Sequence, residues 1–375
     1  MRNESSASAA ARSVEKPSFL GLDAVKMIAA VLVVGTHSQI LAVIPAPLAG
    51  IINVAIALAV PFFFIASGFL CFFLSHSKHD EEIRRTRKAA HASLWLYAAW
   101  TIVYLPASIA SFVVENAGFT LKTILRYVHK VVFVGEWQLW FLLSMAIGYA
   151  AIHWLLCVGV SRIRIFMIGV TCYVISCVIE VLQGAPDGAF PSFIEQMIDV
   201  YDKVFASPRV LLQGISYIAV GMMMAYFYEK FYEILWHRRA NTIGLLLVGI
   251  VLWVLNYKST QSTNILISIC LCGLLRFLLA IIVSWVSLMW VQVDYTGVFR
   301  YMRTVSAVMY LAHMYFLVVF TLTVTNGISM QISALPSPSY NLFTFFLAIV
   351  GCFVVSIVVN EIGERSAFIS KLFHC

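Results

Sequence analysis

The sequence predicts an all-α, polytopic integral membrane protein with about ten transmembrane helices and both termini in the cytoplasm. Hydrophobic residues make up 61% of the 375 residues, charged residues only 11%, and the mean hydropathy is +0.90. A soluble protein needs more polar residues than this to cover its surface with water-compatible groups. Apolar runs of about 18–23 residues recur along the chain, and each is long enough to cross a hydrocarbon core of roughly 30 Å as a helix.

These runs define the predicted organisation of the chain. We interpret residues 1–18 as a short disordered cytoplasmic tail, 19–360 as one transmembrane domain and 361–375 as a C-terminal cytoplasmic tail, with no soluble domain left over. The predicted spans, with boundaries uncertain by a few residues, are 20–42, 50–74, 93–114, 137–158, 165–183, 209–228, 241–257, 263–284, 304–326 and 341–360.

The distribution of lysine and arginine orients these spans. If the N-terminus is cytoplasmic, the inner segments hold seventeen basic residues and the outer segments six. This excess follows the positive-inside rule. The net charge of +7 therefore reflects topology, and no nucleic-acid partner is expected.

The first span carries ionisable residues, which are costly in a membrane unless they are paired, hydrated or functional. Asp23, Lys26 and His37 fall on one face of a helix. His37 stands 11 residues after Lys26, about 16 Å further across the bilayer. Taken alone, these residues are equally consistent with an ion pair near the membrane surface and a packed core histidine.

The second and third spans flank a basic segment. In the second span, Ser67 and Gly68 are small enough to allow close helix packing. The following cytoplasmic loop concentrates Arg84, Arg85, Arg87 and Lys88, which could bind phosphate groups. An ordinary positive-inside anchor would look the same.

The fourth span opens with "GEWQLWFLLSM" (135–145), which places Glu136, Trp137, Gln138 and Trp140 at the outer interface. Interfacial tryptophans are commonly membrane anchors. An aromatic face beside a carboxylate and an amide is also typical of a sugar-binding site.

The fifth and eighth spans contain Glu180 and Arg276, whereas the sixth, seventh and tenth are predominantly apolar runs. The outer segment 183–209 has an amphipathic middle and is either a cap over a substrate site or a surface loop. The ninth span carries a second polar stripe of Arg303, Ser306, Tyr310 and His313 at positions i, i+3, i+7 and i+10.

Five motifs in this order resemble those of the acyltransferase family 3 integral-membrane O-acyltransferases. They are "LDAVKMIAAVLVVGTH" (22–37), "FFFIASGF" (62–69), the R-x-x-R of Arg84 and Arg87, "WFL" (140–142) and "RTVSAVMYLAH" (303–313). The similarity extends over roughly residues 19–360. "TIVYLP" (101–106) and "VFVGEWQLWFL" (132–142) look closest to the bacterial branch that includes sugar O-acetylases.

The resemblance implies a ten-helix enzyme of the bacterial cytoplasmic membrane that transfers an acyl group, most simply acetyl. The donor would be acetyl-CoA or another acyl-CoA bound from the cytoplasm, and the acceptor a hydroxyl of a glycan or lipid-linked glycan. No permanently bound cofactor is expected. His37 matches the essential first-helix histidine of the family, although Lys26 stands where the family usually has arginine.

The expected site residues fall into three groups. Catalysis is assigned to His37, Lys26 and Asp23. Binding of the CoA phosphates is assigned to Arg84, Arg87, Lys88 and Arg303. Acceptor binding is assigned to Glu136, Trp137, Gln138, Trp140, Tyr310 and His313.

Other classes of protein remain open at this point. A ten-helix transporter or flippase of a glycan precursor would also hold charges at membrane depth, but no inverted repeat is evident. A membrane acyltransferase of another family could rely on His313, and a non-catalytic glycan-binding protein would need no reactive residue. The eight cysteines form no C-x-x-C pair and no two histidines have a ligand-like spacing, so neither a disulfide framework nor a metal site is expected.

Overall fold

The computed structural model describes residues 19–116, 120–186, 188–205, 207, 209–236, 239–262, 264, 267–289, 298–324, 338–363 and 373. The predicted tail 1–18 and most of the predicted tail 361–375 lie outside these residues. The α-helices are α1 (Leu20–His37), α2 (Ala46–Phe73), α3 (His79–Asn116), α4 (Leu121–His129), α5 (Trp140–Cys157), α6 (Arg162–Gly184), α7 (Ser192–Phe205), α8 (Gly214–Trp236), α9 (Arg239–Thr260), α10 (Cys272–Met289), α11 (Val298–Val324) and α12 (Pro338–Gly363).

The predicted all-α polytopic class is confirmed. Within the described residues, ten helical segments are long and apolar enough to cross a membrane, and they correspond to the ten predicted spans. Of the α-helices named above, α4 and α7 are too short to cross a membrane. Apolar side chains also cover the outside of the bundle, as on α9, where Ile243, Leu247 and Ile250 are each more than half exposed. A lipid-facing surface has this composition because hydrocarbon solvates such side chains.

Several predicted boundaries differ from the structure, and two of these differences have clear local causes. The first helix ends at His37 rather than at residue 42, because Gln39 adopts a left-handed conformation with φ 55° and a short 3-10 turn, Ile40–Val43, follows. The basic segment predicted as a loop is helical from His79 onward and forms the first turns of α3. Acidic residues in the first turn, including Glu81, favour a helix start there through the helix dipole.

The outer segment 183–209 contains α7, which confirms its amphipathic middle. One side of α7 presents Phe193, Met197 and Val200, which are all at least 60% exposed. The helix is fastened to α6 by a hydrogen bond from Gln183 Nε2 to Asp202 Oδ1 of 2.5 Å.

Close approach of α2 and α8 organises the centre of the bundle. A Cβ on Gly68 would lie 2.6 Å from the Ile218 carbonyl oxygen, and one on Gly221 would lie 2.3 Å from the Ile65 carbonyl oxygen. Small residues are typical where membrane helices pack backbone to backbone. The predicted role of Gly68 in close packing is therefore confirmed.

We expect Gly221→Ala to destabilise the protein by about 1–3 kcal/mol, because the added methyl group would meet backbone atoms that cannot rotate away. Gly244→Ala on α9 is the matched control, since no atom of the described residues lies within 4 Å of its added Cβ. Thermal unfolding in detergent would compare the two. Equal melting temperatures for both variants would contradict the close α2–α8 contact.

Candidate active site

Two histidines from different helices lie side by side. His37 is the last residue of α1 and His313 lies in the middle of α11, and their ring centroids are 5.2 Å apart. α1 packs along α11, and this packing brings together the two polar stripes that the sequence shows separately. The His37 ring is only partly buried, and it forms no hydrogen bond with any residue that the structure describes. Both of its nitrogens are therefore available to a substrate.

His313 is fully buried and held in one orientation. Its Nδ1 lies 2.7 Å from the Met309 carbonyl oxygen and 3.1 Å from that of Tyr310. Carbonyl oxygens only accept hydrogen bonds, so Nδ1 carries the proton and Nε2 keeps a lone pair. Nε2 is buried and has no hydrogen-bond partner among the described residues. The site thus contains an acceptor nitrogen directed away from its own helix.

Gln138 is fixed beside α11 by a network with α3. Its Nε2 donates to the Tyr104 hydroxyl at 2.9 Å and to the Leu311 carbonyl oxygen at 3.0 Å. The Tyr104 hydroxyl also donates to Leu311 O, at 2.7 Å. Because both amide hydrogens are used, the orientation of the carboxamide is fixed, and its Oε1 is buried without a partner in the described part of the chain.

Two of the residues predicted at the outer interface are buried inside the protein: Gln138 is 1% exposed and Glu136 3% exposed. Their position at the level of the outer interface stays a prediction. Lys130 Nζ lies 2.9 Å from Glu136 Oε1, while Glu136 Oε2 is buried without a partner among the described residues. Trp137 and Trp140 remain only partly buried. Trp137 contacts Tyr104 edge to face and has a left-handed φ of 41°, a conformation that costs energy for a bulky residue.

Tyr310 connects the histidine pair with Gln138. Its hydroxyl donates to the Gln138 carbonyl oxygen at 3.3 Å, and its ring lies 6.5 Å from that of His313. Phe63 and Phe141 pack on the Tyr310 ring at 5.3 and 4.9 Å. The structure therefore brings together four predicted site residues: His37, His313, Tyr310 and Gln138.

Asp23 and Lys26 do not reach this centre. Arg303 forms a two-pronged ion pair with Asp23, with Nη2 2.7 Å from Oδ2 and Nε 3.2 Å from Oδ1. Lys26 Nζ lies 4.0 Å from Asp23 Oδ1. This cluster lies near the other end of α1, with Lys26 about 16 Å and Asp23 about 21 Å along the helix axis from His37. It joins α1 to α11 and keeps two cations near the predicted cytoplasmic side.

The basic residues of α3 occupy the surface of a helix. Arg84 and Arg85 both contact Glu81, at 2.5 and 3.0 Å, and Arg84 remains 61% exposed. Arg87 and Lys88 are exposed and make no hydrogen bond or ion pair within the described ranges. Arg84 and Arg87 are three residues apart and so lie on neighbouring positions of one face.

Two buried residues with fixed polar contacts, Tyr104 and Glu82, are not singled out by the sequence analysis. Tyr104 is completely buried and bonds Gln138, Leu311 and the Tyr315 amide. Glu82 is 3% exposed and pairs with Arg162 at 2.7 Å, which fastens the start of α3 to α6. The motif "TIVYLP" contains Tyr104, but nothing local marks it as the partner of a glutamine 34 residues away.

No group of three or more histidine, cysteine, aspartate or glutamate side chains capable of holding a metal ion occurs in the part of the chain that the structure describes.

Comparison with protein families gives a match that covers most of the chain. A family model described as an acyltransferase domain matches residues 19–358. No curated protein and no solved structure matches the chain significantly. The matched range begins one residue before α1 and ends within α12, so it includes nine spans, most of the tenth and both histidines of the pair.

Proposed function

Because the chain belongs to acyltransferase family 3 and is a multi-pass membrane acyltransferase, we propose that it is an O-acetyltransferase. It takes acetyl from acetyl-CoA on the cytoplasmic side and transfers it to a hydroxyl of a cell-envelope or lipid-linked glycan in the bacterial cytoplasmic membrane. The observation that carries this proposal is the His37–His313 pair: among the described residues, the His37 ring has no hydrogen-bond partner and His313 Nε2 is an unpaired acceptor.

His37 acts as the general base in this reaction. It removes the proton from the acceptor hydroxyl as the oxygen attacks the thioester carbonyl carbon. The carbon–sulfur bond then breaks, and the CoA thiolate leaves and takes up a proton, so that an ester and free CoA are formed. A thioester is already activated, so positioning and a base supply most of what the reaction requires. An acetyl-histidine intermediate on His37 is the alternative route for the same residue.

The acceptor side of the site is suited to hydroxyl groups. Three buried acceptor atoms, His313 Nε2, Gln138 Oε1 and Glu136 Oε2, have no hydrogen-bond partner among the described residues. Buried polar atoms are normally paired, and a ligand that brings O–H donors would satisfy them. Sugars present several such donors on a face that also packs against aromatic rings, and Trp137, Trp140 and Tyr310 provide such rings.

The donor side lies at the predicted cytoplasmic ends of the helices. CoA carries phosphates, and arginine side chains bind phosphate with two parallel hydrogen bonds. Arg84, Arg87 and Lys88 line one exposed part of α3, whereas Lys26 and Arg303 flank Asp23 between α1 and α11. The pantetheine arm would extend from these cations along α1 toward His37.

We expect the double variant Arg84→Ala/Arg87→Ala to bind acetyl-CoA about 10- to 100-fold more weakly, because it loses two charged contacts to phosphate. Both side chains are exposed, so folding should change little. Lys122→Ala/Arg126→Ala on α4 is the matched control, since it removes two cations from the predicted outer side. Calorimetric titration of purified protein measures the affinity. Unchanged acetyl-CoA binding by the α3 variant would mean that these residues do not bind the donor and serve only to orient the helix in the membrane.

The proposed activity is tested on the cell envelope of strains with and without the gene. Mass spectrometry should find an alkali-labile acetyl group on one glycan that disappears on deletion and returns with the intact gene. If deletion instead left acetylation unchanged and caused an unmodified precursor to accumulate on the cytoplasmic side, a flippase would explain the phenotype better.

A further inference from the structure

The short helix α4 has no part in the proposed reaction, and it has an apolar face that the described residues leave uncovered. Four of its apolar side chains are 45–74% exposed, namely Leu121, Ile124, Leu125 and Val128. Their spacing of i, i+3, i+4 and i+7 places them on one continuous face of the helix. The face continues into the turn after α4, where Val132 is 52% exposed. An exposed apolar patch of this kind marks a contact with a membrane or with another protein.

Tyr127 fixes the position of α4 relative to the membrane spans. Its hydroxyl donates to Ser108 Oγ at 3.0 Å, and its ring centroid lies 5.2 Å from that of Phe112. Ser108 and Phe112 belong to the last turns of the span formed by α3, which ends at Phe112. The next span begins at Trp137, eight residues after the end of α4. Because α4 packs beside the end of one span and leads directly into another, it lies at the membrane surface.

The polar side of α4 carries lysine and arginine but no acidic residue. Lys122 and Arg126 are exposed and stand four residues apart, so they are neighbours on the helix surface. At 100° per residue, these cations lie to one side of the apolar face and Tyr127 lies to the other. This arrangement is typical of a helix that lies on an anionic membrane, with its apolar residues in the lipid and its cations at the phosphates.

The neighbouring helix α7 offers a comparison at the same end of the bundle. Its last residue, Phe205, contacts Phe133 of the turn after α4, with ring centroids 6.1 Å apart. α7 also exposes an apolar face, but three acidic residues accompany a single lysine, namely Glu195, Asp199, Asp202 and Lys203. Anionic head groups should therefore attract α4 and should not attract α7.

We propose that α4 is an interfacial helix that binds anionic phospholipids of the predicted outer leaflet. Its apolar face lies among the acyl chains, and Lys122 and Arg126 contact the phosphates. The partner is the bilayer and not another protein, because the face lies at the end of a span and its flanking charges complement lipid phosphate. This binding does not depend on acyl transfer. A short turn, Lys130–Val134, connects α4 with Glu136, so the bound lipid also steadies the chain that leads into the candidate site.

The test is hydrogen–deuterium exchange of the full-length protein, with a single copy in each nanodisc. The nanodiscs contain phosphatidylcholine alone or phosphatidylcholine mixed with phosphatidylglycerol. We expect the amides of α4 to exchange about 5- to 25-fold more slowly with phosphatidylglycerol, because each cation near an anionic surface contributes about fivefold. The amides of α7 should show no such slowing. High salt should remove the difference for α4, because it screens the charges.

The variant Lys122→Glu/Arg126→Glu should abolish the effect of phosphatidylglycerol on α4, and Lys122→Gln/Arg126→Gln replaces it if the charge reversal prevents folding. Lys203→Glu on α7 is the matched control and should leave the effect on α4 unchanged. Leu121→Asn/Leu125→Asn should speed the exchange of α4 in both kinds of nanodisc, because it removes apolar contacts with the acyl chains.

Equal exchange of wild-type α4 with and without phosphatidylglycerol would overturn the proposal, and so would equal slowing of α4 and α7. Slower exchange of α4 that requires a second copy of the protein in the nanodisc, and not anionic lipid, would also overturn it. That result would assign the apolar face to self-association instead.

Discussion

His37→Ala is expected to lower the rate of acyl transfer by about 10²–10⁴-fold, the usual contribution of a positioned general base. The variant should still insert, fold and bind acetyl-CoA, because His37 makes no hydrogen bond to the described protein and its ring is only partly buried. A group that acts in the proton-transfer step affects the transition state much more than the affinity for the donor. Steady-state kinetics and donor titration on the same preparation measure the two quantities separately.

The matched control for His37→Ala is Thr36→Ala. Thr36 is the preceding residue and is exposed, and among the described residues its side chain bonds the Leu32 carbonyl oxygen of its own helix alone, so this change should leave the rate nearly unaffected. Transfer by purified His37→Ala at close to the wild-type rate would make His37 a packing residue. His313 would then be the next candidate base.

Removal of Asp23 is expected to have the second-largest effect. Asp23→Ala leaves Lys26 and Arg303 adjacent without their shared counter-charge, and it should destabilise the protein by about 1–3 kcal/mol. A value in the lower part of this range is expected because Arg303 is half exposed, so water can hydrate its charge when Asp23 is removed. Because the ion pair joins α1 to α11, the alignment of His37 and His313 should also suffer, with a fall in kcat of about 10-fold or more.

The exchanged pair Asp23→Arg/Arg303→Asp separates alignment from donor binding. If the ion pair mainly aligns the helices, the exchange should restore stability and much of the kcat that the single changes lose. If Arg303 also binds the donor, as the sequence analysis predicts, Arg303→Ala should additionally raise the KM for acetyl-CoA. Unchanged stability in both single variants would contradict a role for the pair in joining α1 to α11.

The spans could be predicted because the bilayer imposes a length and a composition that are visible in each apolar run. This criterion does not detect the first turns of α3, since residues 79–92 are mostly polar and favour a loop. Helix formation there depends on local charges instead. Acidic residues occupy the first turn, and Glu81 pairs with Arg84 and Arg85 at spacings of three and four residues.

Within the candidate site, the sequence identified individual residues better than their arrangement. His37 and His313 can both be identified in the sequence because each is an ionisable residue within an apolar helix. Their proximity follows from the packing of α1 against α11, which no local sequence pattern indicates. The tryptophans beside Gln138 favour a position at the outer interface, but they do not indicate that its side chain is buried in the protein. Its burial depends on Tyr104 and Leu311, which are distant in the chain and chemically unremarkable in their own segments.

The central claim is that His37 supports acyl transfer from acetyl-CoA to a glycan hydroxyl. The most direct measurement uses proteoliposomes that contain the purified protein and lipid-linked glycans from the same cells, supplied with acetyl-CoA labelled in the acetyl group. We predict that the wild type transfers label into an alkali-labile ester on the glycan, with release of an equal amount of CoA, and that His37→Ala does not. Labelling of the glycan by His37→Ala at the wild-type level, or no ester with the wild type, would contradict the account.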